Sequence, residues 1–322
     1  MIQELFTFFK ENFPFIVRDK DTVLDILGNK NNKNIYKRDE NGKLIGVSVI
    51  NGNTVILFGT DKKYRNKGFG SELLALSEQT VKKCGFSEIV IGAGFDYLMP
   101  GVPTNKKYFK TENENLYANI DDSAAAFFTK RGYEHSWNCD CFDMRFELKD
   151  FTHNERFVGE TIDGINYRWA EIADMDSVCE CSDNAFEEFT QYYKNKELYK
   201  ETGREKILIA VLNGETVGAL ICDLEAEEKG LGSIGCTVVK RSFQGRHIAV
   251  NLVILGTKYL KEAGMREAYL GYTYTGLDRL YGYAGYKICF YYMMAKKNCC
   301  KPLFIPVLPY FLFTVNNHRN NP

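Results

Sequence analysis

The sequence predicts two α/β domains in tandem, each a mixed sheet with helices on its faces, and three observations carry that expectation. The chain has 322 residues, about twice the commonest domain size. Three pairs of segments match in the same order along it. Within each half, hairpin strands, a helix, a strand, a second helix and a further strand alternate, the pattern of a layered α/β fold.

The elements follow in order. Asn41-Gly42-Lys43-Leu44-Ile45-Gly46 pairs with Asn213-Gly214-Glu215-Thr216-Val217-Gly218 at an offset of 172, each an Asn-Gly turn entering a strand. Tyr64-Arg65-Asn66-Lys67-Gly68-Phe69-Gly70 pairs with Phe243-Gln244-Gly245-Arg246-His247-Ile248-Ala249 at 179, and a helical pattern follows each. The first helix carries Leu73, Leu74, Leu76, Val81 and Cys84 as an apolar stripe and stops at Gly85. Its counterpart carries Leu252, Val253, Leu255, Tyr259 and Leu260 and stops at Gly264. Strands at Glu88 to Ile91 and Glu267 to Leu270 come next. The third pair, Phe127 to Tyr133 with Leu280 to Tyr286, lies at 153, so the first half holds an extra 26 residues. They fall in Leu98 to Ile120, rich in Pro, Gly, Asn and Lys, which reads as a long loop. The division is therefore a first domain over 1–150, a polar junction over 151–164, a second domain over 165–298 and a tail over 299–322.

Composition narrows the function. With 45% hydrophobic and 26% charged residues the chain is globular, and Lys+Arg 41 against Asp+Glu 42 leaves a formal charge of −1. No basic excess points to nucleic acid or anionic lipid, so neither is expected as a partner, and any anion must be held locally. Ten cysteines without C-x-x-C pairs or His partners read as reduced thiols. Met1-Ile2-Gln3-Glu4 lacks a basic leader, and the apolar run Leu303 to Val315 is broken by Pro306 and Pro309 and too short to span a bilayer. A cytoplasmic protein is expected.

In both halves a strand runs through a short permissive loop directly into a helix, the outline of an anion site. Gly68 and Gly70 let the backbone approach an oxyanion, and Arg65 and Lys67 add charge. Neither familiar phosphate loop fits: G-K-[ST] is absent, and the dinucleotide fingerprint would need a glycine where Leu73 stands. Glu88, at the start of the next strand, is misplaced for a ribose.

Arg65-x-x-Gly68-x-Gly70 before a helix, followed by the Phe127-Phe128-x-x-x-Gly132-Tyr133 box, resembles the GNAT superfamily of acyl-CoA-dependent N-acyltransferases. Gln244-x-x-His247-x-Ala249 with Leu280-Tyr281-x-x-x-Gly285-Tyr286 resembles it again, with His247 in place of the middle glycine. The chain is thus similar to tandem GNAT proteins, the mycothiol-synthase-like two-domain acetyltransferases among them. The resemblance implies mixed, mostly antiparallel sheets and a coenzyme A pyrophosphate on the loop amides. These span Arg65, Asn66, Lys67, Gly68, Phe69, Gly70 and Ser71 in one half. In the other they span Gln244, Gly245, Arg246, His247, Ile248 and Ala249. It implies that the strand before each loop, Phe58 to Thr60 or Thr237 to Val239, offers N–H groups to the thioester. It also implies a tyrosine that returns a proton to the leaving thiolate; this is Tyr281 in the second half, where the first has Phe128.

The resemblance therefore leads to transfer of an acyl group, expected to be acetyl from acetyl-CoA, to a small-molecule amine by a monomer or homodimer without a metal. The alternative is a tandem acyl-CoA-binding regulatory protein. Tyr281 favours the second half as the transfer site, and His247 is expected to weaken coenzyme binding there. Tyr281 also lies among many tyrosines that fill a sheet. Met99-Pro100-Gly101-Val102-Pro103 reads either as an element near the acceptor or as a rigid surface turn. Glu225, Glu227 and Glu228 read as a solvated hairpin tip or a base, and His135, His153 and His318 share no metal spacing.

Overall fold

The computed structural model describes residues 1–18, 20–92, 98–105, 122–152, 160–224 and 230–299. Glu225, Glu227, Glu228, His153, His318, most of the long first-half loop and the tail beyond Cys299 lie outside them. The first half runs α1 (Ile2–Asn12), α2 (Lys20–Gly28), β1 (Lys33–Arg38), β2 (Leu44–Asn51), β3 (Thr54–Thr60), α3 (Phe69–Lys83), β4 (Glu88–Ile91), β5 (Val102–Thr104), α4 (Ser123–Thr129), β6 (Glu134–His135) and β7 (Cys141–Glu147). The second runs β8 (Thr161–Ile162), β9 (Ile165–Trp169), α5 (Met175–Ala185), α6 (Thr190–Tyr193), β10 (Glu205–Leu212), β11 (Glu215–Asp223), β12 (Leu231–Val239), α7 (Ile248–Glu262), β13 (Glu267–Tyr274), α8 (Asp278–Gly282), β14 (Lys287–Met293) and β15 (Ala295–Asn298).

Two mixed, mostly antiparallel sheets result, in the orders β1-β2-β3-β4-β15-β6 and β5-β14-β7-β13-β12-β11-β10-β9-β8. The boundary at 150 divides the repeat but not the sheets. The last strand of each half crosses over: β7 sits between β13 and β14, and β15 between β4 and β6. The long first-half segment has a structural role in this exchange, because β5 adds to the edge of the second sheet beside β14. Met99 to Val102 is accordingly buried, not a surface turn. The expected junction also contributes, with β8 pairing to β9.

The repeated glycines are explained by packing. A Cβ on Gly46 would lie 2.8 Å from Leu73 Cδ1, and one on Gly218 would lie 3.1 Å from Leu252 Cδ1. Each glycine of the N-G-x-x-[IV]-G segment thus lets the following helix sit close on its sheet. Gly85 and Gly264 take φ of 89° and 85° and close α3 and α7 as anticipated. The stripe on α3 is narrower than the sequence pattern, since Leu76 and Cys84 face solvent while Ser77 is buried. Ser77 donates to Ser48 across the helix–sheet interface at 2.8 Å. In the second half this polar pair is replaced by Leu220 and Gly256, a large residue over a missing side chain, which fills the same layer. Among the described residues no disulfide forms, and no helix is long and apolar enough to cross a membrane.

Candidate active site

In each half the parallel strand pair is short: β3 pairs with β4 at Thr54 and Val55, and β12 with β13 from Leu231 to Ser233. In the second half both strands run on without pairing to each other, and β12 leads to the loop before α7. In the first, β4 ends at Ile91 and the Met99 N–H donates to the Ile56 carbonyl at 3.3 Å, while β3 leads to the loop before α3.

The two loops have one backbone. Asn66 and Gly68 take φ of 62° and 88°, and Gly245 and His247 take 80° and 60°. Both positions therefore lie in the left-handed region in both halves, with the glycine moved from the second to the first. Asn tolerates that region best among non-glycine residues. His247 adopts it as the N-cap of α7, so the second loop keeps the left-handed positions of the first. Arg65 Nε donates to the Thr60 carbonyl at 3.4 Å, and Gln244 Nε2 donates to the Val239 carbonyl at 3.4 Å. The shared first residue of each motif thus ties its loop back to the strand. Lys67 lies 5.2 Å over the Tyr64 ring and Arg246 5.6 Å over the Phe243 ring, one cation per loop at the same position. Phe69, Gly70 and Ser71 begin α3 as Ile248 and Ala249 begin α7, where first-turn N–H groups face outward from the helix end.

The two halves differ beside these loops. In the first, Phe127 and Phe128 on α4 lie 6.1 Å and 5.4 Å from the Phe58 ring. The Phe127 edge comes within 3.5 Å of where a Gly70 Cβ would be, Arg131 stacks 3.8 Å from the Phe127 centroid, and its Nη2 donates to Ser71 Oγ at 2.7 Å. Aromatic rings and a guanidinium thus join α4 to the start of α3. Phe58, Gly59 and Thr60 stay in register with Ser48, Val47 and Gly46 on β2.

In the second, β12 breaks register with β11 between Val238 and Gly235, leaving Cys236 and Thr237 without partners in that ladder. Val239 remains paired with Gly218. Cys236 takes φ 50° in this bulge, an unfavourable conformation for a residue with a Cβ. The Tyr193 hydroxyl on α6 donates to the Cys236 carbonyl. On the other side, Tyr281 Oη stands 3.4 Å from Thr237 Oγ1. Burial pushes the Tyr281 phenol up to about 12, with the Thr237 contact acting in the opposite direction. On the neighbouring β13 the strand bulges as well: Tyr272 has φ 57°, and its N–H donates to Asp143 Oδ1 at 2.8 Å. Asp143 Oδ2 also accepts from Tyr269 and Tyr292 at 2.7 Å each, and burial raises its pKa. This carboxylate comes from the exchanged β7.

Sequence reasoning brought together Thr237 and Tyr281 but missed Tyr193, Asp143 and Arg131. A charge in the apolar run Cys141-Phe142-Asp143-Met144 was the available signal for Asp143; Tyr193 has none. Glu88 pairs with Lys296 at 3.3 Å on β15, far from any ribose role. Among the described residues no cluster of three or more His, Cys, Asp or Glu forms a metal site.

Comparison with known proteins agrees with this geometry. No curated protein sequence matches. Among solved structures, a glucosamine N-acetyltransferase region of a fungal multi-domain β-N-acetylglucosaminidase aligns with a TM-score of 0.69 at 19% identity over 92% of this chain. The chain spans 37% of that protein's length. A tandem GNAT protein from the clavulanic acid biosynthesis pathway aligns at 0.67 and 14% identity, over 93% of this chain and 95% of that one. A GCN5-related N-acetyltransferase from Sphaerobacter thermophilus aligns at 0.59 and 19% identity, over 83% and 81%. These likenesses establish the fold. The acetyltransferase (GNAT) family model matches residues 2–96 and again 169–286, one span in each half. With the family matched in both halves and the loop–helix unit present twice, the chain belongs to the acetyltransferase (GNAT) family as a tandem member.

Proposed function

We propose that the protein transfers acetyl from acetyl-CoA to a small-molecule amine, and that the second half performs the transfer. The observation that carries this reading is the Tyr281 hydroxyl 3.4 Å from Thr237, on a strand segment released from its ladder beyond the short parallel pair. The coenzyme pyrophosphate fits the loop Gln244 to Ala249, whose left-handed residues and helix end present N–H groups and whose Arg246 adds charge. The amine nitrogen attacks the thioester carbonyl, and strand N–H groups stabilise the oxyanion. The C–S bond then breaks, the sulfur takes the Tyr281 proton, and the proton lost by the amine returns through water to the phenolate. The products are the acetamide and free coenzyme thiol. Burial keeps the phenol protonated at neutral pH, as an acid requires.

The first half offers Phe128 in place of the acid and carries Phe127 and Arg131 across the start of its loop. Its loop, Arg65 to Ser71, is read as holding coenzyme without transfer. Thiolate release on mixing acetyl-CoA with a panel of primary amines tests the proposal. A thermal shift with coenzyme A but no thiolate from any amine would establish a binding protein instead.

A further inference from the structure

Tyr193 is buried, belongs to the short helix α6, and has no matching residue in the repeat that gave away the other elements. Its hydroxyl donates to the Cys236 carbonyl, and its own carbonyl accepts from the Tyr199 hydroxyl at 2.8 Å. The face of the sheet matters here. Tyr193 lies in the core with Val178, Ile209 and Val238 beneath α5, whereas Tyr281 lies in the core under α7 and α8 on the opposite face. A trans peptide holds its C=O and N–H antiparallel, and no cis bond occurs among the described residues. With the Cys236 carbonyl drawn toward Tyr193, the Thr237 N–H of the same peptide unit is directed to the face that carries Tyr281.

We infer that Tyr193 is a positioning residue for acyl transfer: by holding the carbonyl of the bulged Cys236 it aims the Thr237 N–H at the thioester oxygen. This rests on the proposed transfer site in the second half. The left-handed Cys236 is a conformation that relaxes unless something holds it, and in the described first half neither a positive-φ residue on β3 nor a tyrosine bond to that strand occurs. Three features therefore occur together in one half: the phenol acid, the inverted strand residue and the hydroxyl that fixes it.

The test is the infrared carbonyl stretch of acetyl-CoA labelled with carbon-13 at the thioester, bound to the full chain. An oriented N–H donor lowers that frequency in the wild type. In Tyr193→Phe the band should return at least half-way toward free acetyl-CoA, with kcat falling about 10²-fold and KM for acetyl-CoA nearly unchanged. Tyr199→Phe, which removes a neighbouring buried hydroxyl, should keep the lowered band. Replacement of Tyr193 by trifluorotyrosine, a stronger donor of similar shape, should lower the frequency further and serves if Tyr193→Phe does not fold. A band unmoved by either Tyr193 change overturns the inference. Tyr281→Phe separates the two proposals. If it lowers turnover while Tyr193→Phe leaves the band in place, only the role of Tyr193 fails. If Tyr281→Phe is silent, the second-half site fails and this inference with it.

Discussion

The two halves carry the same ion pair with its charges reversed, and exchanging them tests the duplication directly. Lys43 meets Asp61 at 3.0 Å in the first half; Glu215 meets Lys240 at 2.5 Å at the matching positions of the second, with Glu180 adding a contact at 2.9 Å. Both pairs close the end of the strand that leads into the loop before α3 or α7. Lys240 is 6% exposed, its partners 51% and 74%. Full Coulomb energies of about 6 kcal/mol per pair at intermediate dielectric are therefore reduced to about 1 kcal/mol each by solvent around the glutamates. Lys240→Asp loses both attractions and makes both repulsive while leaving a buried carboxylate unpaired, so it should destabilise by about 3–5 kcal/mol. Glu215→Lys alone opposes two ammonium groups and should lose about 1–2 kcal/mol. The double variant reproduces the Lys43–Asp61 arrangement and should be more stable than Lys240→Asp alone. Urea denaturation at pH 7 followed by circular dichroism gives the four stabilities of the cycle, with an expected coupling of at least about 2 kcal/mol. Additive losses would show that the two sites are not equivalent.

Further outcomes follow from the site. Tyr281→Phe should lower kcat by about 10²–10⁴ with coenzyme affinity unchanged by calorimetry; an equal loss of affinity would refute the acid role. Because burial pushes the Tyr281 phenol up to about 12, it stays protonated at all lower pH, and kcat should show no alkaline fall from this group below about pH 11. A limb near pH 9 that disappears in Tyr281→Phe would contradict this. Gly68→Glu places a side chain at φ 88° in the first loop and should reduce coenzyme stoichiometry while sparing turnover. If it abolishes turnover, the roles of the halves reverse. Asp143→Ala leaves two tyrosine hydroxyls and the Tyr272 N–H without their acceptor and should destabilise by about 2–5 kcal/mol in thermal or urea melts; a change under about 0.5 kcal/mol would mean water replaces it.

What the sequence displayed was whatever the duplication copied. The turns at Asn41 and Asn213, the loop–helix units and the stops at Gly85 and Gly264 were legible because both copies obey the same local rules. Gly245 stands opposite Asn66 as His247 stands opposite Gly68, so the left-handed positions trade the residue that best tolerates them, which a comparison of the middle glycine alone does not show. Arg65 and Gln244, unlike in charge, both donate to the last strand carbonyl, a task either side chain performs. The exchanged strands had no local signal, since β7 and β15 would satisfy the same alternation in either sheet. Nor did Tyr193, whose hydroxyl bonds a backbone atom more than forty residues away.

The exchange also dictates when the protein can fold. Between β4 and β6 the first sheet has a place that is filled only by Ala295–Asn298, residues more than 200 positions beyond β4. A ribosome that has completed the first half has therefore released a sheet with a gap, while β7 and its Asp143 await the tyrosines of β13 and β14. Neither copy can mature ahead of the other, and contacts so distant in sequence slow the final closure. Synthesis, which builds the halves in succession, must pass Asn298 before the first sheet is complete, and the gene duplication has become a single cooperative unit that cannot be divided again by cutting at its junction.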